Sequence, residues 1–280
     1  WRYFRDPWNV FDFVIVAASF LPFAGALVLT ALLASQPVES RRCGIVHVLQ
    51  RLDRHEALMP LRNAVIQFAG GTVALISGQS MGREGPAVHL GAAASSLIGQ
   101  VLDLPRNAVR TLVACGTAAA IAGSFNTPMA GVIFAMEVIV REYTVISFIP
   151  VILAAVAATV MVRSVYGDGA AFEIPLYDLA SLSELWWMVV CALAIGAIAA
   201  LFIETAERAN GLQGWPVWMR LPLAGAVTAV VGVLVPEVLG IGYDTVEAAL
   251  YGGLPLRLLA LLVLAKLFTT GISVGAGMPA

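Results

Sequence analysis

The sequence predicts an all-α polytopic membrane protein, and three observations carry that reading. Of its 280 residues, 60% are hydrophobic and only 12% are charged, roughly half the charged share of an average soluble chain. Mean hydropathy is +0.88. Most telling, the acidic and basic residues are confined to a few breaks between long runs that contain none. In such a chain the solvent is lipid, and the backbone must satisfy its own polar groups as helices.

The same composition excludes other classes. A net charge of −2 offers no basic field for nucleic acid. Cys43, Cys115 and Cys191 are far apart and in no ligand spacing, so neither a disulfide framework nor a zinc site is implied. His47, His55 and His89 form no H-E-x-x-H motif, and no nucleophile–base constellation is present. We therefore expect no enzyme and no cofactor.

The uncharged runs, in order, are residues 13–38, 63–82, 85–102, 111–136, 143–162, 185–203 and 221–236. An eighth, 258–280, is interrupted only by Lys266, whose long stem is expected to snorkel toward the interface. About 20 apolar residues cross a hydrocarbon core of roughly 30 Å. Several runs are too short, or too rich in Gly and Pro, for simple perpendicular spans. Gly82, Gly85 and Pro86 interrupt the second and third, and Gly123, Pro128 and Gly131 break the fourth. Irregular backbone at membrane depth is tolerated where it is buried in protein or lines a wet cavity, which is where transporters place ion sites.

Between the runs, the polar stretch 39–62 carries Arg41, Arg42, Arg51, Arg54 and Arg62 and reads as cytoplasmic by the positive-inside rule. A second break, 167–184, holds Asp168, Glu173 and Asp178 with no Lys or Arg, and is the expected linker between two membrane halves. Trp186 and Trp187 sit where an interfacial belt starts a helix. The first residues show no cleavable signal-peptide pattern.

The most informative string is Gly82-Arg83-Glu84-Gly85-Pro86, followed by a small-residue helix. Glycines let the backbone turn tightly so that several amides point into one space. Pro86 suits the first position of a new helix, where its missing N–H is no loss. The partial positive charge at that N-terminus favours an anion. Glu84 is a tethered anion that competes for the same place, so it would block while ionised and open when protonated or swung away. The alternative is a pair of neighbouring charges that cancel in an interfacial loop. His89, one turn further on, reads either as a pH sensor or as a satisfied buried histidine.

Gly82-Arg83-Glu84-Gly85-Pro86 resembles the signature of the CLC family of chloride channels and chloride/proton exchangers. The string Phe125-Asn126-Thr127-Pro128-Met129-Ala130-Gly131-Val132-Ile133-Phe134-Ala135-Met136-Glu137 is similar to that family's F-N-x-P-L-A-G-x-x-F-x-x-E stretch. The resemblance covers roughly residues 26–280. It implies a CLC-type inverted-repeat helical bundle with broken and re-entrant helices: a first membrane half over 26–175 and the start of a second over 176–280. It further implies a multi-pass protein of the cell or inner membrane, a homodimer in the lipid bilayer with one anion pathway per subunit, and chloride as the transported ion. Glu84 would be the gate. Gly82, Arg83, Gly85 and Pro86 would face the outer anion site through their backbone.

Three departures qualify the match. Where the family has G-S-G-I-P, this chain has Arg42-Cys43-Gly44-Ile45-Val46. Cys43 is a weaker donor than a serine hydroxyl, while the amides of Gly44 and Ile45 would remain for the anion; a buried, inert thiol is the other reading of Cys43. Exchangers of the family carry a further glutamate just after the position of Glu137, and here that residue is Val138. This favours passive, channel-type conduction over a chloride/proton antiporter, and leaves Glu137 as either a proton-pathway carboxylate or a helix-end residue paired with Arg141. Finally, the chain stops at Gly275-Ala276-Gly277-Met278-Pro279-Ala280, where the G-x-F-x-P motif is expected to begin. The fold is thus expected to be incomplete at the C-terminus, and a non-conducting fragment is a third reading. Residues 1–25 differ from the family: Trp8-Asn9-Val10-Phe11-Asp12-Phe13 resembles a voltage-sensor segment of voltage-gated cation channels, though no arginine ladder follows.

Overall fold

In a computed structural model, residues 20–54, 57–141, 144–169 and 181–279 are described. Residues 1–19 of the voltage-sensor-like start 1–25, and most of the polar break 167–184, lie outside them. Every regular element among the described residues is helical. In order these are α1 (Leu21–Ala34), a 3-10 turn (Val38–Arg41), α2 (Gly44–Arg54), α3 (Leu61–Ile76), α4 (Glu84–Val101) and α5 (Arg106–Phe125). Then come α6 (Pro128–Phe134), a π segment (Ala135–Val140), α7 (Val145–Tyr166), α8 (Glu184–Asn210), α9 (Val217–Leu234), α10 (Tyr243–Leu250) and α11 (Leu256–Gly275).

Among the described residues, five helices are long and apolar enough to cross a membrane: α5, α7, α8, α9 and α11. The others are shorter or more polar, as the interrupted runs predict. The second and third runs are parted at residues 77–83, between α3 and α4. The fourth run breaks at Asn126–Thr127 rather than at its glycines. Asn126 ends α5 in the left-handed region, with φ 56°, and Pro128 opens α6. Gly123 and Gly131 instead lie inside helices. Gly131 is there because a Cβ would fall 3.0 Å from the Ala122 amide nitrogen.

The chain forms two compact units. The first comprises the described residues of Leu32–Val73, Gly82–Glu173 and Pro279–Ala280. Its centre is a backbone-close crossing of α4 and α5: a Cβ on Gly91 would fall on the carbonyl oxygen of Gly116, and one on Gly116 would fall on that of Gly91. Small residues at a crossing let apolar helices gain van der Waals contact in lipid, where no hydrophobic driving force separates them from solvent. Around the crossing, Val48, Leu52, Met59, Val88, Ala92, Val109 and Val113 form one buried cluster; Ala114, Ala118, Ala122, Val132, Met136 and Val151 form another, which joins α5 to α6, the π segment and α7. Asn126 ties the end of α5 to the end of α7, accepting from Arg163 Nε at 2.7 Å and donating to the Gly169 carbonyl at 3.2 Å.

The second unit comprises the described residues of Trp1–Ala31, Ala74–Met81 and Ile174–Met278. It repeats the small-residue device. A Cβ on Gly271 would lie 2.9 Å from Thr205 Cγ2, and one on Gly275 would lie 2.7 Å from the Ala206 carbonyl, so α11 packs on α8. Lys266 does not snorkel. Its Nζ donates to the Val238 and Gly240 carbonyls at 3.0 and 2.5 Å, closing the turn after Pro236–Val238. Trp186 and Trp187 start α8 and are exposed, as an interfacial belt requires.

Candidate functional site

The residues singled out in the sequence meet in the first unit, at two helix N-termini. α4 begins at Glu84, with Arg83 as its N-cap residue. Pro86 is therefore the third residue of the helix and not its first. The first intrahelical bond runs from Ala87 N to Arg83 O at 3.0 Å. Amides of a helix's first turn have no acceptor inside the helix, so the missing N–H of Pro86 costs nothing at this position either.

Glu84 projects from that first turn and folds back over the preceding glycine: a Cβ at Gly82 would fall on Glu84 Oε2. Gly82 is what allows this conformation. The carboxylate is half-buried and sits in the positive field of the helix terminus, where a negative charge is favoured by about 0.3–1 kcal/mol and by more when partly desolvated. Arg83 turns its side chain the other way. Its Nη2 donates to the Ser124 carbonyl at 3.2 Å, in the last turn of α5. Of this neighbouring pair, the carboxylate folds against Gly82 beside the start of α4 and the guanidinium bonds a carbonyl in the last turn of α5.

The second N-terminus is that of α2. Gly44, with φ +75°, starts it just after the half-buried Cys43. Burial pushes the Cys43 thiol up to about 12, which makes it a neutral donor and not a thiolate. The Gly44 amide is not left for an anion, as the sequence led us to expect. It donates to Gln67 Oε1 at 2.6 Å. Ile45 follows in the first turn of α2.

The two termini are joined one turn inward. His47 Nδ1 and His89 Nε2 lie 2.8 Å apart, with ring centroids 5.1 Å apart and planes at 25°. Both rings are buried, so one imidazole donates and the other accepts. His89 is thus a buried histidine whose Nε2 is paired with His47 while its buried Nδ1 has no hydrogen-bond partner, so it is only half satisfied. α3 contributes Gly71, where a Cβ would lie 3.2 Å from Pro86 Cβ. Cys43, Gly44, Gly82, Arg83, Glu84, Gly85 and Pro86 therefore surround two linked helix starts.

Glu137 is elsewhere, exposed on the π segment. Among the described residues no ion pair joins it to Arg141, the partner its spacing suggested. The wider π turn changes the side-chain register, and Arg141 leaves it in the left-handed region with φ 59°. Val138 packs against the core cluster that includes α2 and α4 residues.

Gln67 and the role of His47 escaped the sequence reading. The available signals were a carboxamide in the middle of the uncharged run 63–82, which also holds Asn63 and Gln79, and two histidines each three residues beyond Gly44 or Pro86.

Comparison with known proteins places this geometry. The family model for the voltage gated chloride channel matches residues 24–280. A ClcB-like chloride channel protein of Ralstonia nicotianae is 32% identical over 84% of this chain and 57% of its own length. The H(+)/Cl(−) exchange transporter ClcA of Vibrio cholerae is 30% identical over 86% of this chain and 54% of its own. The chain thus spans about half the length of the curated relatives it matches. In fold it is similar to a slow cyanobacterial Cl−/H+ antiporter (TM-score 0.80, 19% identity, 95% of this chain and 64% of that one). It is likewise similar to a CLC-type fluoride/proton antiporter (TM-score 0.73, 22% identity, 96% and 74%).

Proposed function

The chain belongs to the voltage gated chloride channel family, and from that premise we propose that it carries the gated anion site of a chloride transporter that exchanges chloride for protons. The observation that carries the reading is the Glu84 carboxylate, half-buried at the first residue of α4 and folded back against Gly82, beside a helix N-terminus that favours an anion. While ionised, it holds the place of the anion. Protonated, it loses the charge that the helix terminus favours and yields to chloride. One carboxylate then links a proton to an anion, the coupling that an exchanger requires. Relatives named as exchangers and antiporters support this branch. We extend the proposal to a homodimer with one pathway per subunit.

Passive conduction is the second reading, supported by Val138, which is apolar and packed where a proton relay would need a carboxylate, and by the relative named as a chloride channel. The whole protein in liposomes separates them. Under a proton gradient at fixed chloride, exchange shifts the reversal potential and conduction leaves it in place. In either case Glu84→Gln is expected to raise chloride efflux and weaken its dependence on pH; unchanged efflux would remove Glu84 from the gate.

A further inference from the structure

Gln67 is fully buried in α3, within the uncharged run 63–82. A buried carboxamide is kept where both of its ends are bonded, since an unpaired amide in an apolar interior costs on the order of 1–3 kcal/mol. Here both ends are used: Oε1 accepts from the Gly44 amide at 2.6 Å, and Nε2 donates to the Pro279 carbonyl at 3.2 Å. The amide it takes belongs to the first turn of α2, and first-turn amides are the donors a bound anion uses. The carboxamide also lies near the other terminus: a Cβ on Gly71 would stand 3.5 Å from Gln67 Nε2 and 3.2 Å from Pro86.

We propose that Gln67 is a specificity-determining residue of the anion pathway. Its neutral oxygen fills the Gly44 donor, so that anions bind at the α4 end and an anion seated at α2 must first displace the side chain. This rests on the anion-transport reading above. An amide oxygen carries no net charge, so the seat is filled without repelling a halide at α4, and a sufficiently strong acceptor can compete for it.

The test is a chloride titration by calorimetry on the whole purified protein, with variants of opposite expected sign. Gln67→Met keeps the length but has no strong acceptor; it frees the Gly44 amide and is expected to tighten chloride binding about tenfold. Gln67→Asn, one methylene shorter, falls short of Gly44 and acts in the same direction. Gln67→Glu places a fixed negative charge on the donor and weakens binding by about tenfold or more. A glutamine with only a structural role gives weaker binding in all three or no change in any; either result overturns the proposal. Glu84→Gln, measured alongside, separates the two readings. If it tightens chloride binding while the Gln67 variants fail to divide by sign, only the Gln67 proposal falls. If neither the parent protein nor Glu84→Gln binds chloride, the anion reading falls and takes this one with it.

Discussion

The two units end their helices differently. In the second unit, exposed helix ends and turn carbonyls are closed by cations and amides from distant positions. Lys266 closes Val238 and Gly240, Arg220 Nη1 donates to the Ala276 carbonyl at 2.8 Å, and Gln213 donates to the Gly275 carbonyl at 3.1 Å. The first unit uses the same device where Arg83 meets Ser124. At its two N-termini, however, it sets a neutral oxygen from Gln67 on one and a carboxylate from Glu84 on the other. A cation held by two carbonyls in an apolar medium stays where it is. An acceptor that stands where an anion fits can be exchanged for one. Closure by cations makes scaffold, and an exchangeable acceptor at a helix start is what the proposed anion site requires.

Variants sharpen that contrast, beginning with the largest effect. Lys266→Met should leave two inward carbonyls without their donor and lower stability by about 3 kcal/mol, read as a fall in thermal midpoint. Anion selectivity should not change; a selectivity change with intact stability would break the contrast. Arg220→Met removes one such bond and should cost about 1–2 kcal/mol by the same assay, again with unaltered selectivity. Gly82→Ala should do the reverse. The clash is with the far end of a flexible side chain, so stability should shift by less than about 1 kcal/mol, while chloride efflux changes severalfold because Glu84 is pushed off its resting place. Cys43→Ser has the smallest expected effect, an approximately twofold shift in the chloride-to-nitrate permeability ratio, since a hydroxyl replaces a weaker thiol donor at a single position.

The Cys43 thiol supplies a pH test. With its value raised from 9.0 to about 12, the folded state keeps a proton that the unfolded chain gives up, so its contribution is complete below 9.0 and is lost as pH climbs toward 12. At pH 8 this leaves about a thousandfold less thiolate than free cysteine has, and, after the greater nucleophilicity of the more basic thiolate is allowed for, alkylation should be roughly 30–60-fold slower.

Much of this was legible in the sequence. Uncharged runs marked the apolar helices, and Gly82-Arg83-Glu84-Gly85-Pro86 located the start of α4 to within two residues. What one-dimensional reading misplaced was the partner of each polar group. Lys266 looked like a snorkelling side chain because nothing in its neighbourhood reveals that residues 238–240 return to it. The Gly44 amide looked available because its acceptor lies 23 positions away, and the Glu137–Arg141 pair looked natural because an α register was assumed where the chain forms a π turn. Local propensity is written along the chain. Satisfaction of buried polar groups is a property of the folded neighbourhood.

The bare crossing at Gly91 and Gly116 has a kinetic consequence. With backbone resting on backbone, α4 has no cushion of side chain on which to roll, and moving its N-terminus would mean prising apart the best-packed seam of the unit. If Glu84 is the gate proposed above, its release would fall to the torsions of the glutamate itself, which turn over in picoseconds to nanoseconds where a sliding helix needs microseconds or more. The proposed latch would then be quick, and a slow step would have to be sought in desolvating the ion or delivering the proton.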